Sequence, residues 1–129
     1  METTIDATGE APAETAWERY MKPEMWSSWA PQIMGVDYAE SRLRPGTFGK
    51  VRGPLGFPVD FEILDVDEPG RTWTWKAWFV HRSLGLTLTH GVASTPNGAR
   101  TWLTVRGPSA FVLPYVPIAK FALMQLVRK

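Results

Sequence analysis

Three stretches decide how this chain folds: Thr72-Trp73-Thr74-Trp75-Lys76-Ala77-Trp78-Phe79-Val80, Leu86-Thr87-Leu88-Thr89-His90-Gly91-Val92 and Thr101-Trp102-Leu103-Thr104-Val105-Arg106. Each alternates in character with period two, the signature of a strand with one covered and one wet face. Short connections join them, at Arg82-Ser83-Leu84-Gly85 and around Asn97-Gly98, so neighbouring strands run antiparallel. Placing Asn97-Gly98 at the two central turn positions sets Val92 opposite Leu103, His90 opposite Val105 and Leu88 opposite Gly107. Centring the previous connection on Ser83-Leu84 sets Phe79 opposite Leu88, Ala77 opposite His90 and Trp75 opposite Val92. Both registers put Trp73, Trp75, Ala77, Phe79, Leu86, Leu88, His90, Val92, Leu103 and Val105 on one face. Thr74, Lys76, Thr87, Thr89, Thr104 and Arg106 fall on the other, together with Trp78 and Trp102.

Outward from this centre, Phe57 to Ile63 alternates with apolar residues at odd positions, adding Val59 and Phe61 to the covered face. Thr47 to Arg52 reads as a further strand, broken by Gly53-Pro54, and Val36 to Ala39 as a short one. Residues 2–8 form a first strand, ended by Gly9. Pro12 then opens a helix over Ala13–Met21 that presents Ala16, Trp17 and Tyr20 on one side. Pro23 restarts the chain into a second short helix, Glu24 to Trp29, closed by Pro31. Ala99 to Ser109 reads as the last strand, and a long helix follows from Pro114 to Lys129. Lys120, Gln125, Arg128 and Lys129 mark its wet side; Tyr115, Ile118, Ala119, Ala122, Leu123 and Leu126 lie opposite. The whole is an α+β domain over residues 1–129. About six or seven antiparallel strands are covered by the last helix, and two short helices follow strand one.

Composition narrows the function. The chain has 129 residues, 44% hydrophobic and 21% charged, which fits one globular core. A net charge of +1 lacks the footprint of a nucleic-acid binder. Without cysteine, and with only two histidines, the sequence offers no disulfide framework, no thiolate nucleophile and no metal-ligand spacing. No cofactor motif is present either. The N-terminus has neither a basic nor an apolar leader segment, so the expectation is a cytoplasmic protein. The apolar tail from Ala110 to Val127 is interrupted by Pro114, Pro117 and Lys120 and is expected to pack on the sheet, without stable membrane insertion. Seven Trp and six Phe in so small a domain favour binding something apolar.

The order of elements resembles the START-like helix-grip (SRPBCC) superfamily, within it the polyketide cyclase/dehydrase and lipid-transport group. The residues that carry the likeness span nearly the whole chain. They are Ala11 to Trp17, Trp26-Ser27-Ser28-Trp29-Ala30-Pro31, Leu43 to Gly49, Phe61-Glu62-Ile63, Asp67 to Trp75, Leu88 to Val92 and Gly98 to Thr101. The resemblance implies a curved sheet gripping a long C-terminal helix, with a deep cavity between them. It also implies a small hydrophobic ligand such as a lipid, polyketide or aromatic; some members are cyclases.

On this reading the ligand site draws on His90, Trp75, Ala77, Phe79, Phe61, Val59, Leu88 and Val105 from the sheet. Tyr115, Ala119 and Leu123 come from the last helix and Trp26 from the second short helix. His90, mid-strand on the covered face, is the one acid–base candidate. It is open to three roles: a buried histidine satisfied by a carbonyl or tyrosine, a ligand contact, or a proton shuttle in a cyclase or dehydratase. Apolar burial should hold it neutral. Trp26 and Trp29 either line an entrance or staple their helix to the sheet. Tyr38 and Tyr115 are the candidate polar partners. Outward Trp78 and Trp102 would suit a homodimer face, in which case the cavity would be vestigial.

Overall fold

The computed structural model describes residues 1–53 and 56–129. The break expected at Gly53-Pro54 runs into residues 54–55, which lie outside the described residues. Seven strands form one antiparallel sheet: β1 (Glu2–Gly9), β2 (Gly35–Asp37), β3 (Phe48–Arg52), β4 (Pro58–Asp67), β5 (Thr72–Trp78), β6 (Leu86–Thr95) and β7 (Gly98–Arg106). Their order across the sheet is β1-β7-β6-β5-β4-β3-β2, so only the first strand is out of sequence, closing against the last. Between β1 and β2 stand α1 (Ala13–Met21), a single 3-10 turn and the one-turn α2 (Trp26–Trp29). The long helix α3 (Ser109–Leu126) ends the chain and packs along β1 and β7.

The alternation holds, but the registers differ from those expected. His90 faces Trp73 on β5 and Leu103 on β7, and Trp75 faces Leu88. Neither Ala77 nor Val105 lies opposite His90. The β6–β7 turn is centred on Pro96-Asn97, because Thr95 pairs with Gly98. Proline's fixed φ suits the first central position of such a turn, and this outweighs the Asn-Gly signal. Between β5 and β6 the connection runs from Phe79 to Gly85 through a 3-10 turn, with Val80 at a φ of 71°. Phe79 therefore lies beyond the strand and is exposed. Each slip is an even number of residues, so no side chain changes face.

In β4 a bulge between Ile63 and Asp65 inserts one residue. Val59, Phe61 and Ile63 face inward before it, while Leu64 is exposed and Val66 packs on the core after it. The last helix starts five residues earlier than expected, and Pro114 and Pro117 sit inside it. Both prolines fall on its exposed side and, having no N–H, remove the usual i+4 donors of the Ala110 and Leu113 carbonyls.

Indole donors tie the short helices down. Trp26 Nε1 donates to the Tyr20 carbonyl at 2.8 Å and Trp29 Nε1 to the Arg19 carbonyl at 3.0 Å. Both therefore bond α2 to the end of α1. Trp17 Nε1 donates to Glu68 on the β4–β5 loop at 2.7 Å, and Arg42 bridges Glu68 and Glu18. Arg19 donates to the carbonyls of Leu126 and Arg128 at 2.7 and 2.6 Å, capping the end of α3.

Close approach is set by two glycines. A Cβ on Gly98 would lie 2.1 Å from the Gly9 carbonyl oxygen, and one on Gly9 would lie 2.2 Å from that of Val127. Gly98 also has a φ of 157°. We expect Gly98→Ala to cost roughly 1–3 kcal/mol, because backbone must move on both sides of it. Urea unfolding checks this; a midpoint equal to wild type would contradict it.

Candidate functional site

Two hollows lie between sheet and helices. The larger is an open cavity of ≈ 540 Å³ between β3–β6 and the first half of α3. Val51, Val59, Ala77, Leu86 and Leu88 make its floor, and Phe111 and Ile118 form the helix side. Phe79, Val80 and Leu84 rim it. Among the described residues no Asp, Glu, Lys, Arg or His lines it. Its polar side chains, apart from two indoles, are Gln32 and Tyr115. Burial pushes the Tyr115 phenol up to about 12, with Gln32 acting in the opposite direction. At neutral pH Tyr115 is therefore an uncharged hydroxyl, able to donate one hydrogen bond.

The smaller hollow, ≈ 20 Å³, is enclosed by Trp26, Trp29, Trp73, His90, Ala119 and Leu123, among others. It is large enough for about one water molecule. Gln32, Ile33, Trp75 and Tyr115 border both hollows and form the partition between them.

His90 belongs to the inner hollow. It is 3% exposed, and its ring stacks on Trp73 at 4.6 Å and lies 4.8 Å from Tyr20. Trp75 Nε1 donates to His90 Nε2 at 3.1 Å. An indole N–H can only donate, so Nε2 carries no proton and the neutral ring holds its proton on Nδ1. Burial lowers its pKa to about 3. Its partner is thus an indole, neither a backbone carbonyl nor a tyrosine. Tyr20 is close, but its hydroxyl goes elsewhere: Thr101 Oγ1 donates to the Gly91 carbonyl at 2.9 Å, so Tyr20 donates to Thr101, at 2.5 Å. Burial raises the Tyr20 pKa above its ordinary value. His90 Nδ1, Trp73 Nε1 and Gln32 Oε1 are buried with no hydrogen-bond partner among the described residues, and all three side chains line the inner hollow.

The residues predicted for the site separate into three groups. Val59, Ala77, Phe79, Leu88, Trp75 and Tyr115 border the large cavity. His90, Trp26, Ala119 and Leu123 border the small one. Phe61 and Val105 border neither and are core residues, both fully buried. Phe61 packs against Trp26 and Trp75 at 5.5 Å. Tyr38 bonds to Thr47 at 2.6 Å, away from His90. Leu86, on the covered face by its alternation but not expected in the site, lines the large cavity as well. Gln32, Ile33, Val51, Leu84 and Phe111 escaped the sequence reading. They come from loops, a strand facing the far edge and the helix start, where periodicity carries no signal.

Of the two tryptophans expected to face outward, Trp78 also borders the large cavity, and both are partly covered by their own chain. Arg82 lies over the Trp78 ring at 4.7 Å, and a Cβ on Gly91 would meet the Trp102 ring at 2.2 Å. Both are half-buried. No cluster of metal-ligating side chains occurs among the described residues.

Similar folds are found among solved structures. A Mesorhizobium loti protein aligns over 98% of this chain and 96% of its own, with a TM-score of 0.77 and 19% identity. A Bacillus thuringiensis protein aligns over the same shares with a TM-score of 0.80 and 14% identity. The protein Ara h 8.0201 aligns over 98% and 94%, with a TM-score of 0.74 and 15% identity. At such identities the likeness is one of fold. No curated protein sequence matches the chain. The family model described as "Polyketide cyclase / dehydrase and lipid transport" matches residues 1–128, and it is to this family that the chain, with its helix-grip fold, belongs.

Proposed function

We propose that the protein binds a small, uncharged, mainly apolar molecule in the cavity between β3–β6 and α3. The observation that carries this reading is the cavity itself. Its ≈ 540 Å³ falls within the range of small-molecule sites, and its lining is apolar save at one end. Charged groups would lose their hydration there without gaining partners, so an uncharged ligand is favoured. Tyr115 and Gln32 stand where a single polar group of the ligand would be held. Burying ~300 Å² of apolar ligand surface contributes roughly 7–8 kcal/mol before the costs of association, enough for micromolar binding at best.

Ala77 is the position to test. It sits on the cavity floor, half-buried, with open space above it. A tryptophan there would remove about 60 Å² of ligand contact, or about 1.5 kcal/mol, weakening binding about tenfold. The measurement is titration with the neutral fluorophore N-phenyl-1-naphthylamine. Equal affinity for wild type and Ala77→Trp would place the ligand elsewhere. Ala119 is unsuitable for such filling, because it is 1% exposed and faces only the small hollow.

The family description also covers cyclase and dehydrase chemistry. In this chain a substrate in the cavity would meet His90 only past the Trp75 ring. That reading predicts that His90→Ala keeps affinity and removes turnover.

A further inference from the structure

We propose that the outer face of α3, with the cavity rim beside it, docks on the surface of an anionic lipid bilayer. The helix is apolar on both sides. Val112, Ala119, Ala122, Leu123 and Leu126 are buried against the protein. On the opposite side Leu113, Ile118, Phe121 and Met124 are 57, 44, 49 and 52% exposed, with Pro114 and Pro117 between them. At 100° per residue these six share one face, which has no charged side chain within it. Exposed Phe79, Val80, Leu84 and Phe111 continue the surface to the cavity mouth. So large a contiguous apolar surface is unusual for a protein that meets only water.

Charge selects the occupant. Of the eight Lys and Arg between Pro69 and Lys129, Arg82, Arg100 and Arg106 are paired with Glu62, Asp6 and Glu2 from the first half of the chain. Arg128 and Lys129, just past the end of the helix, form no ion pair among the described residues, and neither does Lys120 on its flank, whose Nζ donates to the Asp6 carbonyl. An apolar helical face flanked by cations fits the headgroup region of anionic lipid. By length and composition the helix could cross a membrane. However, its inner face is committed to the sheet. It therefore lies in the interface. Docking there would bring the cavity mouth to the lipid, a direct route for an apolar ligand, although the docking itself does not depend on the cavity being filled.

Flotation of the full chain with vesicles tests this. We expect the protein to float with vesicles of three parts phosphatidylcholine to one part phosphatidylserine. Retention on phosphatidylcholine alone should be several-fold weaker, and retention on the anionic vesicles should fall as salt is added. Phe121→Asp and Leu113→Asp, both at exposed positions, should each cut binding about tenfold or more while leaving N-phenyl-1-naphthylamine affinity unchanged. Ala77→Trp should do the reverse, so failure of docking and failure of the cavity reading are distinguishable. Absence of flotation, equal retention on neutral vesicles, or undiminished flotation of both variants overturns the proposal. So does a wild-type dimer in sedimentation that Phe121→Asp converts to monomer, since a second copy would then cover the face.

Discussion

Trp75→Ala should destabilise the protein by about 3–5 kcal/mol and at the same time make His90 titrate nearer its ordinary range. The indole is 8% exposed and meets Trp26, Phe61 and Trp73 at 5.2, 5.5 and 5.5 Å between ring centroids. It also stands between the two hollows and donates to His90 Nε2. Its removal therefore deletes a large buried contact surface, joins the small hollow to the open cavity and leaves Nε2 without its donor. Water then reaches the imidazole, the desolvation that lowers its pKa is relieved, and its midpoint should rise toward 6.5. Trp75→Phe separates the contributions. It keeps an aromatic ring in the wall but loses the N–H and the volume of the second fused ring, at a cost of about 1–3 kcal/mol for the unpaired buried nitrogen and the space left behind. Urea unfolding and an NMR titration of the His90 ring read both effects. Loss of less than about 1 kcal/mol in Trp75→Ala, or an unmoved His90 titration, would show that Trp75 is no partition.

The face assignments were legible because they depend only on parity. Trp73, Trp75, Leu88, His90, Val92, Leu103 and Val105 alternate, and all are buried, although the strands slipped by even steps from the expected pairing. Cross-strand neighbours were not legible, because turns set them. Pro96 takes the first central position of the β6–β7 turn, and the longer β5–β6 connection displaces Phe79 from its strand. The consequence for the site is specific: His90, expected beside Ala77 in the cavity, lies beside Trp73 behind a wall of indole. Tyr20 was grouped with Ala16 and Trp17 on one side of α1, and that side is buried, but its approach to His90 is a tertiary contact with no sequence signal. The start of α3 was missed because two prolines read as a beginning; exposure of their side of the helix makes them tolerable inside it.

His90 should make stability strongly pH-dependent in a window where carboxylates scarcely contribute. In the folded protein burial holds its pKa at about 3, whereas the unfolded chain protonates it near 6.5. Between these values the unfolded state binds one more proton than the folded state, so stability falls as pH falls. The contribution is complete above pH 6.5, declines by about 1.4 kcal/mol per pH unit and amounts to a loss on the order of 4 kcal/mol near pH 3. Glu68, held below the usual carboxylate range chiefly by its hydrogen bond from Arg42, contributes with the same sign, but only below about pH 4.5. The discriminating interval is therefore pH 6 to 5. His90→Gln preserves an acceptor for the Trp75 N–H and carries no titrating proton, and exposed His81 is common to both proteins. Urea midpoints measured across the interval should slope steeply for wild type and lie nearly flat for His90→Gln. Parallel slopes would mean that the imidazole reaches water in the folded state, and the closed inner hollow would have to be given up with it.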